Sequence, residues 1–392
     1  MIRGVVLSLN RLIPPLVLPV LLFVLSQVTA ATENTVFSGI PLNRTAVTEN
    51  RHLSERAIRA RRRPNETPAL RHHGHSDHYS MPVPRSYLVD SYHALFSSPE
   101  RHDYLSRIRN RWEPYRDYIA ERIESHGLPP ELLYLPAVES AYRPGAVSRT
   151  GAVGLWQFMP GSAAPFGLRM TELVDERMDF MKSTEAALRK LAYNRDVLDD
   201  WLLAIAAYNC GLARIRRIVA KTGLQDFWEL AEGGHLPAET TGFVPLLVVY
   251  SEFFGNSVRH GFDYDWNSVV RWETVAVTSP LHIELLAGST GLDSDILQIG
   301  NPELLRGIAL PGHMLKVPPD SADAVRDALR RTKNRFQHVH AHTISSGDTL
   351  YDLAIEYGIS VALIELFNPG ILPRRLQIGS KVYIPNIDGG RY

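Results

Sequence analysis

Apolar positions along the chain change period several times, and each change predicts an element. From Tyr87 to Phe96 and from Tyr104 to Ile123 they recur at helical spacing, with Tyr115, Ile119 and Ile123 on one face. Gly127-Leu128-Pro129-Pro130 ends that segment. A nearly unbroken apolar run, Leu132 to Val138, then finishes in a carboxylate and a hydroxyl, Glu139-Ser140. Pro144 disfavours helix at Arg143 and Gly145 follows, so a helix begun after Pro129-Pro130 should end close to Glu139. The stretch from Gly151 to Gly161 holds two glycines three apart, Gly151 and Gly154, which permit a tight turn and close backbone approach to a ligand. Around the amide of Gln157 stand Trp156, Phe158 and Met159, either a wall for a sugar ring or a plug of core aromatics.

A helix is predicted from about Arg177 to Asn194 and another from Asp200 to Cys210. On the second, Trp201, Ile205, Tyr208, Asn209 and Leu212 share one face, and Gly211 is placed as a stop. His235 to Pro245 reads as a polar turn leading into an apolar helix from Leu246 to Phe254. This first domain closes near Asp265, spanning 85–265.

Beyond it the pattern repeats. Ala287, Gly291, Asn301, Pro302, Leu305, Gly312 and Pro318 recur 67 positions later as Ala354, Gly358, Asn368, Pro369, Leu372, Gly379 and Pro385 without a gap. Each copy reads as a short strand, two short helices and a closing strand, small enough to bury only a modest core. The copies span 268–320 and 339–386. Between them 321–338 is a charged connector, helical over Ser321 to Arg335.

With 392 residues, 45% of them apolar, the chain has room for two or three domains. Formal charge is zero, and −2 without the first thirty residues, which gives no indication of a nucleic-acid partner. Those residues carry Arg3, Arg11, an apolar block from Leu12 to Leu25 and Val28-Thr29-Ala30, the pattern of a cleavable secretory signal over 1–30. Pro14, Pro15 and Pro19 interrupt the block, which is short for a bilayer span. The single cysteine, Cys210, lies far from the cleavage point and can neither accept a lipid there nor form an internal disulfide. An exported, soluble monomer is expected. From 31 to 84 the chain reads as a disordered tether with an arginine-dense part (Arg51 to Arg63) and the tract His72-His73-Gly74-His75-Ser76-Asp77-His78, too unfixed to make a metal site. No metal and no cofactor is expected.

Apolar neighbours and the negative end of a helix dipole both penalise an ionised Glu139, as a general acid working near neutral pH requires. Tyr208 and Asn209, polar groups on a buried stripe, must find partners in the protein or in a ligand. Cys210 has no base or metal companion and reads as packing. Glu172, Asp175, Glu176 and Asp179 sit in a charged segment without an apolar frame and read as surface residues.

Three blocks, Glu139-Ser140, Gly154-Leu155-Trp156-Gln157 and Ala207-Tyr208-Asn209-Cys210-Gly211, together resemble the soluble-lytic-transglycosylase type of catalytic domain, related in fold to goose-type lysozyme. With Leu236-Pro237, Glu239-Thr240 and the C-terminal repeats, the arrangement resembles the membrane-bound lytic murein transglycosylase D family. The fold this implies is a mainly α, lysozyme-like catalytic domain followed by two small βααβ modules, α+β overall. The resemblance implies an enzyme of the bacterial periplasm or cell envelope whose partner is the peptidoglycan glycan strand. Glu139 would protonate the bond between N-acetylmuramic acid and N-acetylglucosamine, then as carboxylate assist the muramyl C6 hydroxyl at C1, leaving a 1,6-anhydro end. Ser140, Gln157, Tyr208 and Asn209 would position acid and sugar. Phe243 stands where several relatives carry Tyr.

The second repeat, with Gly347, Asp348, Thr349, Asn368 and Pro369, resembles a LysM module, a binder of N-acetylglucosamine-containing glycans through those residues. The first repeat has Pro280, Leu281 and His282 where the second has Gly347, Asp348 and Thr349, so it should keep the fold and bind sugar poorly. Two other readings stay open: a hydrolytic muramidase of the same fold, with a second carboxylate, and a non-catalytic wall-binding protein.

Overall fold

The computed structural model of the chain describes residues 81, 86–256, 270–332 and 336–386. The expected signal, the tether with its arginine and histidine tracts, and the boundary near Asp265 lie outside the described residues, except for Met81 at the end of the tether, which is buried. The chain divides into two compact units. One holds the described residues up to Leu168 and from Phe180 to 256; the other holds Arg169–Asp179 and the described residues from 270 onward.

The first unit is helical. α1 (Tyr87–Phe96) is capped by Ser86, whose Oγ accepts from the Leu88 N–H, and buries Leu88, Tyr92 and Phe96. α2 (Pro99–Ser125) runs on through Pro114. Proline forfeits a backbone donor there, but Trp112, Tyr115, Ile119 and Ile123 are all buried along the helix, and that packing outweighs the loss. A short 3-10 turn, Pro130–Tyr134, leads into α3 (Leu135–Ser140), which ends beside Glu139 as the Pro144-Gly145 signal predicts. α4 (Pro160–Ala163) precedes α5 (Phe180–Leu198), α6 (Trp201–Cys210), α7 (Leu212–Thr222), α8 (Phe227–Glu232) and α9 (Ala238–Gly255).

Two predicted elements need correction. The face drawn through Trp201, Ile205 and Tyr208 does not separate core from solvent, because every residue of α6 from Leu202 to Tyr208 is buried. A helix packed on all sides carries no amphipathic signal. The polar turn from His235 to Pro245 is largely helix: α9 begins directly after Pro237, and Thr240, Thr241, Gly242, Phe243 and Val244 are buried in it. Burial overrides the turn-forming residues, and Pro245 is absorbed inside the helix.

The second unit contains both repeats. In the first, β1 (Glu273–Ala276) pairs antiparallel with β4 (Met314–Val317), and β2 (Leu281–His282) with β3 (Ile308–Ala309), around α10 (Ile283–Thr290) and α11 (Ser294–Gly300). α12 (Ala322–Thr332) occupies the connector. In the second, β5 (His338–Thr343) pairs with β6 (Lys381–Asn386) around α13 (Leu350–Glu356) and α14 (Val361–Phe367). The register repeats with the sequence: Glu273 faces Val317, and 67 positions on, His340 faces Ile384. The chain is thus α+β, a helical unit followed by two βααβ modules.

Asn301 and Asn368 explain why asparagine recurs. Asn301 donates to the Leu297 and Lys316 carbonyls and accepts from the Lys316 N–H; Asn368 does the same with Ile364 and Tyr383, all within 2.7–2.9 Å. Each ties a helix end to the closing strand, at the residue pair Lys316 and Tyr383. Those two side chains reach the same segment: Lys316 Nζ lies 2.7 Å from Asp179 and 2.5 Å from Glu303, while Tyr383 Oη donates to Glu172.

The segment 169–179 therefore differs from expectation. Glu172 is exposed, but Asp175, Glu176 and Asp179 are buried. Arg177 bonds Asp175 at 2.6 Å and Arg169 bonds Glu176 at 2.7 Å, while the cation for Asp179 comes from a residue far along the chain, invisible to local charge patterning. Removing one partner of a buried ion cluster strands the others without compensation. Lys316→Met should therefore cost the second unit about 3–5 kcal/mol, read as lost hydrogen-exchange protection in β4 and in residues 169–179. Unchanged protection would show that the lysine does not hold them.

Candidate active site

Glu139 is the penultimate residue of α3. The residue is half-buried, and among the described residues no hydrogen bond reaches its carboxyl. The carboxyl itself is lined by protein on most sides, and that surrounding governs its ionisation. Burial, first of all, pushes its pKa up to about 8; the Lys190 charge pulls the other way, and Glu239 adds to the rise. The acid is therefore protonated at neutral pH.

The chain around it is held in unfavourable backbone. Among the described residues, five non-glycine residues have positive φ, and three stand here: Ala141 at 50°, Tyr142 at 56° and Gln157 at 48°. Such left-handed conformations persist only where the surroundings enforce them. Tyr142 is fully buried and its hydroxyl donates to the Leu133 carbonyl, while Arg111 donates to the Ala141 carbonyl at 3.3 Å.

Ser140, expected beside the substrate, is buried, with its hydroxyl within 3.0 Å of the Leu155 carbonyl and 3.1 Å of the Pro136 carbonyl. It joins α3 to the 151–161 loop. In that loop Val153 bridges both Val147 and Phe158, and Gly154, with φ 89°, makes the turn that a side chain would resist. Of the two readings of its aromatics, the plug holds: Trp156 and Phe158 are buried, and the Trp156 indole donates to Thr184 Oγ1 on α5 at 2.9 Å. Met159 alone of the three is exposed. Gln157 donates to the Gly154 carbonyl at 2.8 Å, which leaves its Oε1 uncommitted among the described residues.

Tyr208 is buried and donates to the Trp156 carbonyl at 2.8 Å, locking α6 to the loop. Asn209 is half-buried, donates to Glu239 Oε1 at 3.2 Å and accepts from Thr240 Oγ1 at 2.7 Å, linking α6 to the start of α9. The three sequence blocks thus converge: Ser140 and Tyr208 meet the loop, and Glu139, Tyr208, Lys190 and Glu239 share one electrostatic neighbourhood. Nothing in the sequence singles out Lys190, since an Arg189-Lys190 pair inside a helix resembles a solvated face. Cys210 is half-buried, with burial raising its thiol pKa.

In the second module, Gly347 and Thr349 are exposed and Asp348 is half-buried. Thr349 caps α13, and Asp348 accepts from the Ser345 N–H and pairs with His342, both at 2.8 Å, which holds its carboxyl below the usual range. Pro369 is half-buried. Asn368, placed on the sugar side by sequence, is buried with both ends of its amide engaged by backbone, so its side chain is a strut within the module.

The raised acid couples stability to pH. The fold favours neutral Glu139 and the unfolded chain its carboxylate, so stability declines as pH rises from the ordinary 4.5 towards about 8. Glu139→Gln escapes this penalty, about 1.4 kcal/mol for each tenfold by which folding tightens the acid's hold on its proton. Thermal melts should show the two proteins alike near pH 4 and the variant the more stable at pH 8; equal melting at both would contradict the buried acid.

Residues 117–231 match the transglycosylase SLT domain family, and residues 342–385 the LysM domain family. Over 285 residues the chain is 32% identical to membrane-bound lytic murein transglycosylase D of Escherichia coli K12, covering 68% of this chain and 62% of that protein. Over 111 residues it is 40% identical to a putative tributyltin chloride resistance protein of an Alteromonas species, covering 28% of this chain and 54% of that one. Among solved structures, the lytic transglycosylase Slt of Pseudomonas aeruginosa aligns at TM-score 0.33 and 20% identity over 46% of this chain and 31% of that one. The chain spans less than two thirds of the curated relatives it matches. Residues 117–231 are therefore a transglycosylase SLT domain and residues 342–385 a LysM domain, joined on one chain.

Proposed function

We propose that the protein is an exported lytic transglycosylase of the bacterial cell envelope, acting on the β-1,4 bond between N-acetylmuramic acid and N-acetylglucosamine in peptidoglycan. The observation that carries this reading is Glu139, a buried carboxyl whose proton is retained at neutral pH. It gives that proton to the bridging oxygen as the C1–O bond breaks. The resulting carboxylate takes the proton of the muramyl C6 hydroxyl as that oxygen bonds to C1, so the acid returns to its starting state and no water is consumed. Ser140 and Tyr208, through the loop carbonyls they hold, fix the acid's surroundings, and Gln157 Oε1 and the edge of Asn209 are the polar groups left for sugar. Such orientation is a large part of catalysis, and small displacements cost much rate.

Glu239 gives the hydrolytic reading a specific basis, since it is a second carboxylate acting on Glu139. Hydrolases of this kind use their second carboxylate to activate water. Glu239 is exposed, engaged by Asn209, and the least of the causes acting on the acid, which favours the lyase. Product mass decides: digested murein sacculi should yield muropeptides one water lighter than hydrolytic products, and Glu139→Gln should clear no turbidity. Products of hydrolytic mass would establish the muramidase instead. Failure of wild type and Glu139→Gln alike to clear turbidity would leave only a wall-binding protein.

The LysM domain would hold the enzyme on its polymer, where even a weak site raises effective concentration. Its groove would lie between the Gly347 to Leu350 turn, where Gly347 and Thr349 are exposed, and the Asn368 to Leu372 loop, where Leu372 is exposed. In the first module the matching residues Pro280, Leu281 and His282 are buried, and His282 packs on Phe367 of the second, in keeping with a module that binds sugar poorly. Because Phe367 and Tyr383 share a cluster with Ile308 of the first module, deletion of the LysM domain would unsettle its neighbour. A point change is the cleaner test. Leu372→Asp should reduce sacculus binding severalfold in a pull-down while leaving cleavage of short soluble glycans near wild type; undiminished binding would remove the groove from the account.

A further inference from the structure

Lys190 lies near the middle of α5, half-buried, and its ammonium is placed against the active-site helix α6. Nζ sits 3.9 Å from the centre of the Tyr208 ring, donates to the Tyr208 carbonyl at 3.3 Å, and is 5.6 Å from the Phe158 ring. Among the described residues it forms no salt bridge. A partly buried ammonium held by one carbonyl and a ring face is under-compensated, since its remaining donors lack acceptors of opposite charge. The charged and titratable groups that share the acid's neighbourhood come one from each packed helix: Lys190 from α5, Tyr208 from α6, Glu239 from α9. Tyr208 stays neutral, its pKa raised well above the ordinary value by burial. The ring on which Lys190 rests bonds the Trp156 carbonyl, and Ser140, next to Glu139, bonds the adjoining Leu155 carbonyl, so Lys190 is the cation whose charge reaches Glu139.

Resting on the transglycosylase reading above, we propose that Lys190 is a positioning residue for the reaction, the counter-cation for the carboxylate that Glu139 becomes when it gives up its proton. While Glu139 is neutral the lysine has no anion to answer. Once the proton has moved to the bridging oxygen, the negative charge left on Glu139 is formed within reach of the Lys190 charge, in a setting where water contributes little. An interaction present only after charge has developed lowers the barrier without tightening ground-state binding. Burial and Lys190 thus oppose each other: burial keeps the proton on at neutral pH, and the ammonium lets it leave. The burial of Lys190 lowers its own pKa while Glu139 sustains it, consistent with two groups that read each other's charge.

The test is the pH profile of sacculus cleavage by the full chain. For wild type, activity should fall on an alkaline limb set by ionisation of Glu139. In Lys190→Met, kcat should drop about tenfold or more with KM little changed, and the alkaline limb should move to higher pH, because the acid has lost the charge that helped it ionise. Lys190→Arg should keep the limb near its wild-type place, and Glu239→Gln should move it down. Should Lys190→Met fold poorly, Lys190→Gln, which can still donate to the Tyr208 carbonyl, is read in the same way. A neutral variant that loses rate but keeps the wild-type alkaline limb would overturn the proposal and leave Lys190 as packing. Failure of the broader reading looks different: Glu139→Gln would then cleave as well as wild type.

Discussion

The structure depends on one carboxylic acid kept out of water. Glu139 lies where the buried run Leu132 to Val138 stops, and the protein supplies its carboxyl with almost no hydrogen-bonding compensation and much apolar surface. Most of the other features near it follow from the need to end a helix there and keep it ended. Ala141 and Tyr142 take left-handed backbone directly after the acid, Tyr142 buries its ring and ties back to Leu133, and Ser140 fastens the helix end to the loop carbonyl of Leu155. These are costs at the level of local conformation, borne by packing elsewhere, in return for a proton that stays bound at neutral pH.

The second unit works through repetition. One asparagine per module pins the closing strand, and the residue so pinned has been put to a different use in each copy: a lysine buried with Asp179 and Glu303 in the first, a tyrosine bonded to Glu172 in the second. The two modules thereby hold the two ends of a single acidic stretch, 169–179. The first module has the turn that matches Gly347 to Thr349 buried and a histidine, His282, where the second has a capping threonine; burial lowers that histidine's pKa to about 4, so it stays neutral within the core.

Much of this is legible in the sequence because it rests on local rules. Pro144-Gly145 marks the end of α3, Gly211 the end of α6, and a gapless 67-residue offset carries over into strand register and helix bounds. What is not legible depends on distant partners. Asp175, Glu176 and Asp179 look solvated until arginines and Lys316 are placed beside them. Trp156 looks like a sugar platform until Thr184 is found under its indole, and Asn368 looks like a ligand contact until both ends of its amide meet backbone. Lys190 and Glu239 enter the electrostatics of the acid from helices whose sequences give no periodic sign of it. The α6 stripe misleads for a related reason, since a helix buried on every side has no polar face to define the apolar one.

The central claim concerns the protonation state of a single group, so the most direct measurement is a titration of that group. Carboxyl signals of the protein labelled with carbon-13 at glutamate, compared with those of Glu139→Gln, isolate its resonance and follow it with pH. The account predicts a resonance that stays in the protonated position through pH 7 and titrates near 8. A Glu139 signal already ionised at pH 6, with a midpoint near that of an ordinary glutamate, would contradict it.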